Sequence, residues 1–185
     1  SERNAHPHIS RDGIAIVHNG IIENHEQLRN ELKALGYVFT SETDTEVIAH
    51  RIHFHLQSQP VLFDAVQATV RELHGAYALA VLSEAMSEQL IVARAGCPVV
   101  LGIGVGDHVG EHYVASDVAA LLPVTRQFVF LEEGDVALVS RAGLQIFDAN
   151  GDAAVRPQRE SELSADAVER GDYAHYMLKE IHEQP

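Results

Sequence analysis

Asn19 and Gly20 are the residues of this chain best suited to chemistry on a carbonyl. An Asn side-chain amide beside a Gly backbone N–H offers two donors that can face one point, and such a pair stabilises a developing oxyanion. They sit in His18-Asn-Gly-Ile-Ile-Glu-Asn24, after an apolar run from Gly13 to Val17 with the length and β-branched content of a buried strand. Beyond them Leu28, Leu32 and Leu35 recur at helical spacing, and Gly36 stands where a helix wants a positive φ. The pattern predicts that Asn19-Gly20 occupies a turn between a strand and a helix spanning about 24–35. Asn-Gly is also a hairpin signal. A hairpin needs a second strand at once, and the next residues read as helix.

Other candidates carry less. Asp44 opens a second helical pattern with the start signal Ser41-Glu-Thr-Asp44, and two roles are open for it. It is either a first-turn carboxylate favoured by the helix dipole or a counter-charge for a ligand ammonium. The histidine pairs His6/His8, His53/His55 and His108/His112 lack a further Cys or carboxylate at metal-ligand spacing, so solvated surface histidines are expected and no metal. Cys97 lies between two predicted strands with no base beside it and reads as a passive thiol. Gly102-Ile-Gly-Val-Gly106 is followed by a strand rather than the helix a nucleotide loop requires.

These residues need a scaffold, and 185 residues with 46% hydrophobic content suffice for one domain. The net charge of −14 argues against nucleic acid or an anionic membrane as partner. One cysteine, no spanning apolar run and the opening Ser-Glu-Arg-Asn lead to the expectation of a cytoplasmic protein. After the first helix, Tyr37–Phe39 reads as a short strand. Two helices follow, one with Val47, Ile48, Ile52 and Leu56 inward and one opened by Pro60. From Ala76 the pattern becomes short apolar strands: 76–82, 89–94, 99–103, 113–115, 128–131, 136–140 and 144–147. Residues 149–172 read as a charged loop and 173–183 as a helix. Helices early and antiparallel strands late indicate α+β, with helices layered on stacked sheets.

Several stretches resemble one family. His18-Asn-Gly-Ile-Ile-Glu-Asn-His25, Ser41-Glu-Thr-Asp-Thr-Glu-Val-Ile-Ala-His50, Gly75-Ala-Tyr-Ala-Leu79, Phe130-Leu-Glu-Glu-Gly-Asp135 and Tyr176-Met-Leu-Lys-Glu-Ile-His-Glu-Gln-Pro185 are similar to the glutaminase domain of glucosamine-6-phosphate synthases, which are class II glutamine amidotransferases. The resemblance runs along essentially the whole chain. It implies the four-layer αββα sandwich of the N-terminal-nucleophile hydrolases, with early strands missing. Residues 1–172 would be a partial glutaminase domain and 173–185 the start of a linker helix toward an absent sugar-isomerase domain. It further implies hydrolysis of glutamine by an N-terminal cysteine thiolate. Asn19 and Gly20 match the oxyanion hole, Asp44 the partner of the glutamine α-ammonium, and His6 a histidine close to the site. Ammonia would pass to the isomerase domain, which takes fructose 6-phosphate, in a homodimeric full-length protein; no cofactor is implied. The nucleophile is absent from these residues, so the chain alone is expected to be inactive. The alternative is a non-catalytic amino-acid-binding or interaction module of the same fold. The Ile21-Ile-Glu-Asn24 continuation and the closing Lys179–Pro185 segment argue against amidophosphoribosyltransferase and glutamate-synthase-like relatives. A serine hydrolase using Ser1 fails on spacing, because Ser1 is too close to Asn19.

Overall fold

Two antiparallel sheets stacked face to face carry the molecule, with three helices on the outer face of the larger one. A computed structural model describes residues 4–161. The strands are β1 (His8–Ile9), β2 (Ile14–Ile22), β3 (Gly75–Ser83), β4 (Gln89–Ala95), β5 (Val100–Ile103), β6 (His112–Ala115), β7 (Gln127–Phe130), β8 (Val136–Ser140), β9 (Gly143–Phe147), β10 (Ala153–Ala154) and β11 (Gln158–Glu160). Between β2 and β3 lie α1 (His25–Ala34), α2 (Asp44–Leu56) and α3 (Leu62–Val70). The larger sheet runs β1-β2-β3-β4-β8-β9-β10 and the smaller β11-β7-β5-β6. The fold is α+β, as the helix-then-strand pattern indicates.

Alternation along the strands separates the layers. Ile14, Ile16, Leu79, Val81, Ile91 and Ala93 turn toward the helices and pack with residues such as Leu32, Ile48, Ile52 and Val66. Val92, Ala137 and Val139 turn the other way and meet Leu101, Val129 and Leu131 of the second sheet. The outer face of that sheet packs Val100 and Phe128 on Leu121 and Leu122, next to a 3-10 turn at Val118–Ala120.

Local chemistry ends α1 and starts α2 where the sequence signals it. At the end of α1, Tyr37 N–H donates to Leu32 O and Gly36 N–H to Lys33 O, with Gly36 at φ +84°. These are the bonds of a Schellman cap. The α2 start has Thr43 as N-cap, its side chain accepting from Glu46 N–H at 3.3 Å.

Three expectations are corrected. Asn19-Gly20 lies inside β2, paired with Ala78 and Tyr77, and the turn falls at Glu23-Asn24. Residues 37–39 form no strand. Tyr37 donates to His53 Nδ1 at 2.6 Å and Phe39 lies under the Arg29 guanidinium at 4.4 Å, so side chains pin this segment where no strand is available to pair with it. The segment expected to be a loop from 149 contains β10 and β11, which close on β9 and β7. The helix expected over 173–183 lies outside the described residues.

Candidate active site

The antiparallel pairing of β2 and β3 determines where the Asn19-Gly20 donors point. Glu23 N–H donates to His74 O at 2.8 Å, one step beyond the Ile22–Gly75 pair. Backbone groups alternate between the two edges of a strand, so odd-numbered residues of β2 bond toward β3 and even-numbered ones face the opposite edge. On that edge the Ile22 N–H donates to Asp44 Oδ2 at 2.9 Å. The same alternation directs the Gly20 N–H to this edge, and β1 pairs with β2 only at Ala15 and Ile16, short of it. Gly20 adopts φ +123°, and a Cβ there would lie 2.1 Å from Ala76 O, so the close approach of β3 admits only glycine.

Asn19 faces the other sheet. It lines a cleft of about 500 Å³ together with Val17, Ala78, Ala80, Tyr113 and Ser116. Asp44 is not among the residues lining that cleft; it stands at the β2 edge with its side chain 22% exposed. The structure thus brings Gly20 and Asp44 to one strand edge and turns Asn19 from the neighbouring position into the inter-sheet cleft.

The N-terminus of α2 is held from three directions. Arg29 on α1 donates to Ser41 O at 3.0 Å and to Thr43 O at 2.7 Å, fixing the loop that leads into Asp44. Glu46 accepts from the backbone and hydroxyl groups of Thr40 and Ser41 at 2.6–2.9 Å. Burial pushes the Glu46 carboxyl up, but these four donors together outweigh it and hold it below the ordinary range. From the third side, His8 Nε2 meets Thr43 Oγ1 at 3.1 Å and His6 Nε2 meets Thr45 Oγ1 at 3.2 Å. His6 therefore reaches the first turn of α2 beside Asp44.

The expectation of solvated histidines is corrected here. His8, His18, His50 and His53 are buried at the junction of α2 with residues 8–18. Imidazole tolerates this because neutral rings find hydroxyl partners: Ser10 for His50 at 2.7 Å and Thr45 for His18 at 3.0 Å. Burial lowers the pKa of His8, His18 and His50, opposed at His18 by Asp44 and at His50 by Glu46. Among the described residues, no group of three or more His, Cys, Asp or Glu side chains is placed to hold a metal ion.

Thr45, Glu46 and Arg29 were not singled out by sequence reasoning as parts of the site. The signal was present in Ser41-x-Thr43-x-x-Glu46, which reads as a helix start and says nothing of what else those side chains grip.

Residues 1–123 match the family model described as the glutamine amidotransferase domain. The chain belongs to that family. It is 57% identical, along its whole length, to the glutamine–fructose-6-phosphate aminotransferase (isomerizing) of Shewanella oneidensis, and 56% identical to the enzyme of that name from Idiomarina loihiensis. It spans 30% of the length of each of these relatives. Among solved structures, a Bacillus subtilis glutamine phosphoribosylpyrophosphate amidotransferase complexed with ADP and GMP superposes with a TM-score of 0.62 at 27% identity, over 78% of this chain and 30% of that one. An allosteric regulatory enzyme of purine biosynthesis gives 0.65 at 28% identity, over 80% of this chain and 31% of the other. These neighbours share the paired antiparallel sheets and flanking helices described above.

Proposed function

We propose that these residues form the glutamine-hydrolysing part of an enzyme that aminates fructose 6-phosphate to glucosamine 6-phosphate. The observation that carries this reading is the shared strand edge, where the Asp44 carboxylate takes the Ile22 N–H two residues beyond Gly20. A glutamine placed along that edge sets its α-ammonium against Asp44 and its side-chain carbonyl toward Gly20 and Asn19. The Gly20 N–H then receives the negative charge that develops on the carbonyl oxygen when a nucleophile adds to the carbon, joined by the Asn19 amide reaching round from the adjoining cleft to that edge. His6 borders the site through its contact with Thr45.

The nucleophile comes from outside these residues. Cys97, the single cysteine, follows Gly96, which bridges to Tyr77 on the side of β3 away from Gly20. Two strand spacings, about 10 Å, separate it from the oxyanion donors, well beyond the ~3 Å that nucleophilic attack requires. Residues 1–172 act as the glutaminase domain and 173–185 lead toward a sugar-isomerase domain that receives the ammonia.

The test is glutamate release from glutamine. The 185-residue chain is expected to give none above a heat-killed control, while the full-length polypeptide that carries it turns over. Turnover by the chain alone would overturn the assignment of the nucleophile.

A further inference from the structure

We infer that Thr45 is a positioning residue for glutamine recognition, its hydroxyl holding His18 off the Asp44 carboxylate so that this charge stays available to the ligand ammonium. The inference rests on the reading of Asp44 given above. Thr45 is 2% exposed, and its Oγ1 is shared between His18 Nδ1 at 3.0 Å and His6 Nε2 at 3.2 Å. The same His18 nitrogen lies 3.7 Å from Asp44 Oδ1, close enough for charge attraction and too far for a hydrogen bond. Its other nitrogen, Nε2, is buried with no partner among the described residues. The hydroxyl of Thr45 is thus the sole hydrogen-bond partner of this ring among the described residues.

A buried imidazole cannot leave both nitrogens unpaired without cost. Without the Thr45 hydroxyl, Asp44 Oδ1, 3.7 Å away, is a charged acceptor left beside His18 Nδ1. The carboxylate would then hold the Ile22 N–H on Oδ2 and the imidazole on Oδ1, so an incoming ammonium would compete with a donor on each oxygen for a carboxylate turned toward the protein. His18 also directly precedes Asn19 in β2, so the hydroxyl ties the strand carrying the oxyanion donors to the helix turn carrying the counter-charge. A β-branched side chain suits this task because its χ1 has few alternatives in a helix.

The experiment compares Thr45→Val and Thr45→Ser in the full-length polypeptide by steady-state glutaminase kinetics. Valine keeps the shape and removes the hydroxyl. It is expected to raise the glutamine KM about tenfold, the scale of one lost polar contact at a buried charge, with kcat changed less than about threefold. Serine restores the hydroxyl and returns KM to within about twofold of the parent. A KM unmoved by valine, or serine behaving like valine, would overturn the inference. Should Thr45→Val not accumulate as folded protein, Thr45→Ala adds no crowding and carries the same expectation. Asp44→Asn reports on the underlying reading alone: an unchanged glutamine KM there removes that reading. A raised KM in Asp44→Asn with a normal Thr45→Val removes only the role of Thr45.

Discussion

The core between the two sheets and the core beneath the first turn of α2 hold by different means. Between the sheets, Val92, Leu101, Val129, Leu131 and Val139 meet through apolar contact, which has no preferred direction. Under α2, Ser10, His18, Ser41, Thr45, Glu46 and His50 are buried as well, each tied to a partner by hydrogen bonds of 2.6–3.0 Å. Apolar burial stabilises whatever brings the surfaces together, whereas directional hydrogen bonds among buried polar groups specify one arrangement. The contrast teaches that scaffold stability and site geometry are carried by separate parts of the chain. The orientation of Asp44 against β2 belongs to the polar part.

Substitutions that act on one core and spare the other sharpen this contrast. Gly20→Ala strikes the strand on which both rest. The new methyl meets Ala76 O and a residue with a side chain must hold φ +123°, so a loss of about 4 kcal/mol in urea unfolding is expected. Leu101→Ala, fully buried between the sheets, is expected to cost about 3 kcal/mol, equally at pH 7 and pH 5.5. Glu46→Gln keeps the shape but turns an acceptor toward donors as an amide, and about 2 kcal/mol is expected to be lost at pH 7. The cost of Glu46→Gln is expected to hold between pH 7 and 5.5 and to shrink as pH falls below 4.5, and a Leu101→Ala cost that shrank with it would erase the distinction between the two cores.

The smallest effect is a slope with pH. His8, His18 and His50 titrate in the folded chain below the ordinary value of 6.5 because burial disfavours their charged forms. Below 6.5 the unfolded chain therefore binds protons that the folded chain does not, and stability falls as pH drops through that range. Glu46 acts in the same sense and lower down: its carboxyl is depressed in the folded chain, so as pH falls below the ordinary 4.5 the unfolded chain takes up the proton first and this contribution is lost. Thermal unfolding at pH 7 and 5.5 is expected to show a Tm lower by a few degrees at the acid end, and a flat profile would contradict the burial of neutral histidines.

The elements of the fold were largely legible because their signals are local. The strands from β3 to β9 and the caps of α1 and α2 follow from alternation, Gly36 and Thr43. The Asn19-Gly20 dipeptide was half legible. It correctly signals a positive φ, but β3 answers with Gly75 at φ +126° directly across from Ile22, and the two strands absorb the irregularity without turning. Pairing with a strand more than fifty residues away overrode a local preference. The strand pair closing the described chain was hidden by its charges, because Arg156 is held on the buried Asp135 at 2.7 and 2.9 Å and residues exposed in sequence logic become structural. The buried histidines were illegible for the same reason. A histidine reads as polar, and only the distant Ser10 and Thr45 hydroxyls make its burial affordable.

The most direct test of the central claim is Asn19→Ala in the full-length polypeptide, followed by glutaminase kinetics. Removing one of the two proposed oxyanion donors is expected to lower kcat about 10²–10³-fold while the glutamine KM changes less than about threefold. A kcat within about threefold of the parent would contradict the account, because the Asn19 amide would then do nothing for the charge that forms on the carbonyl oxygen.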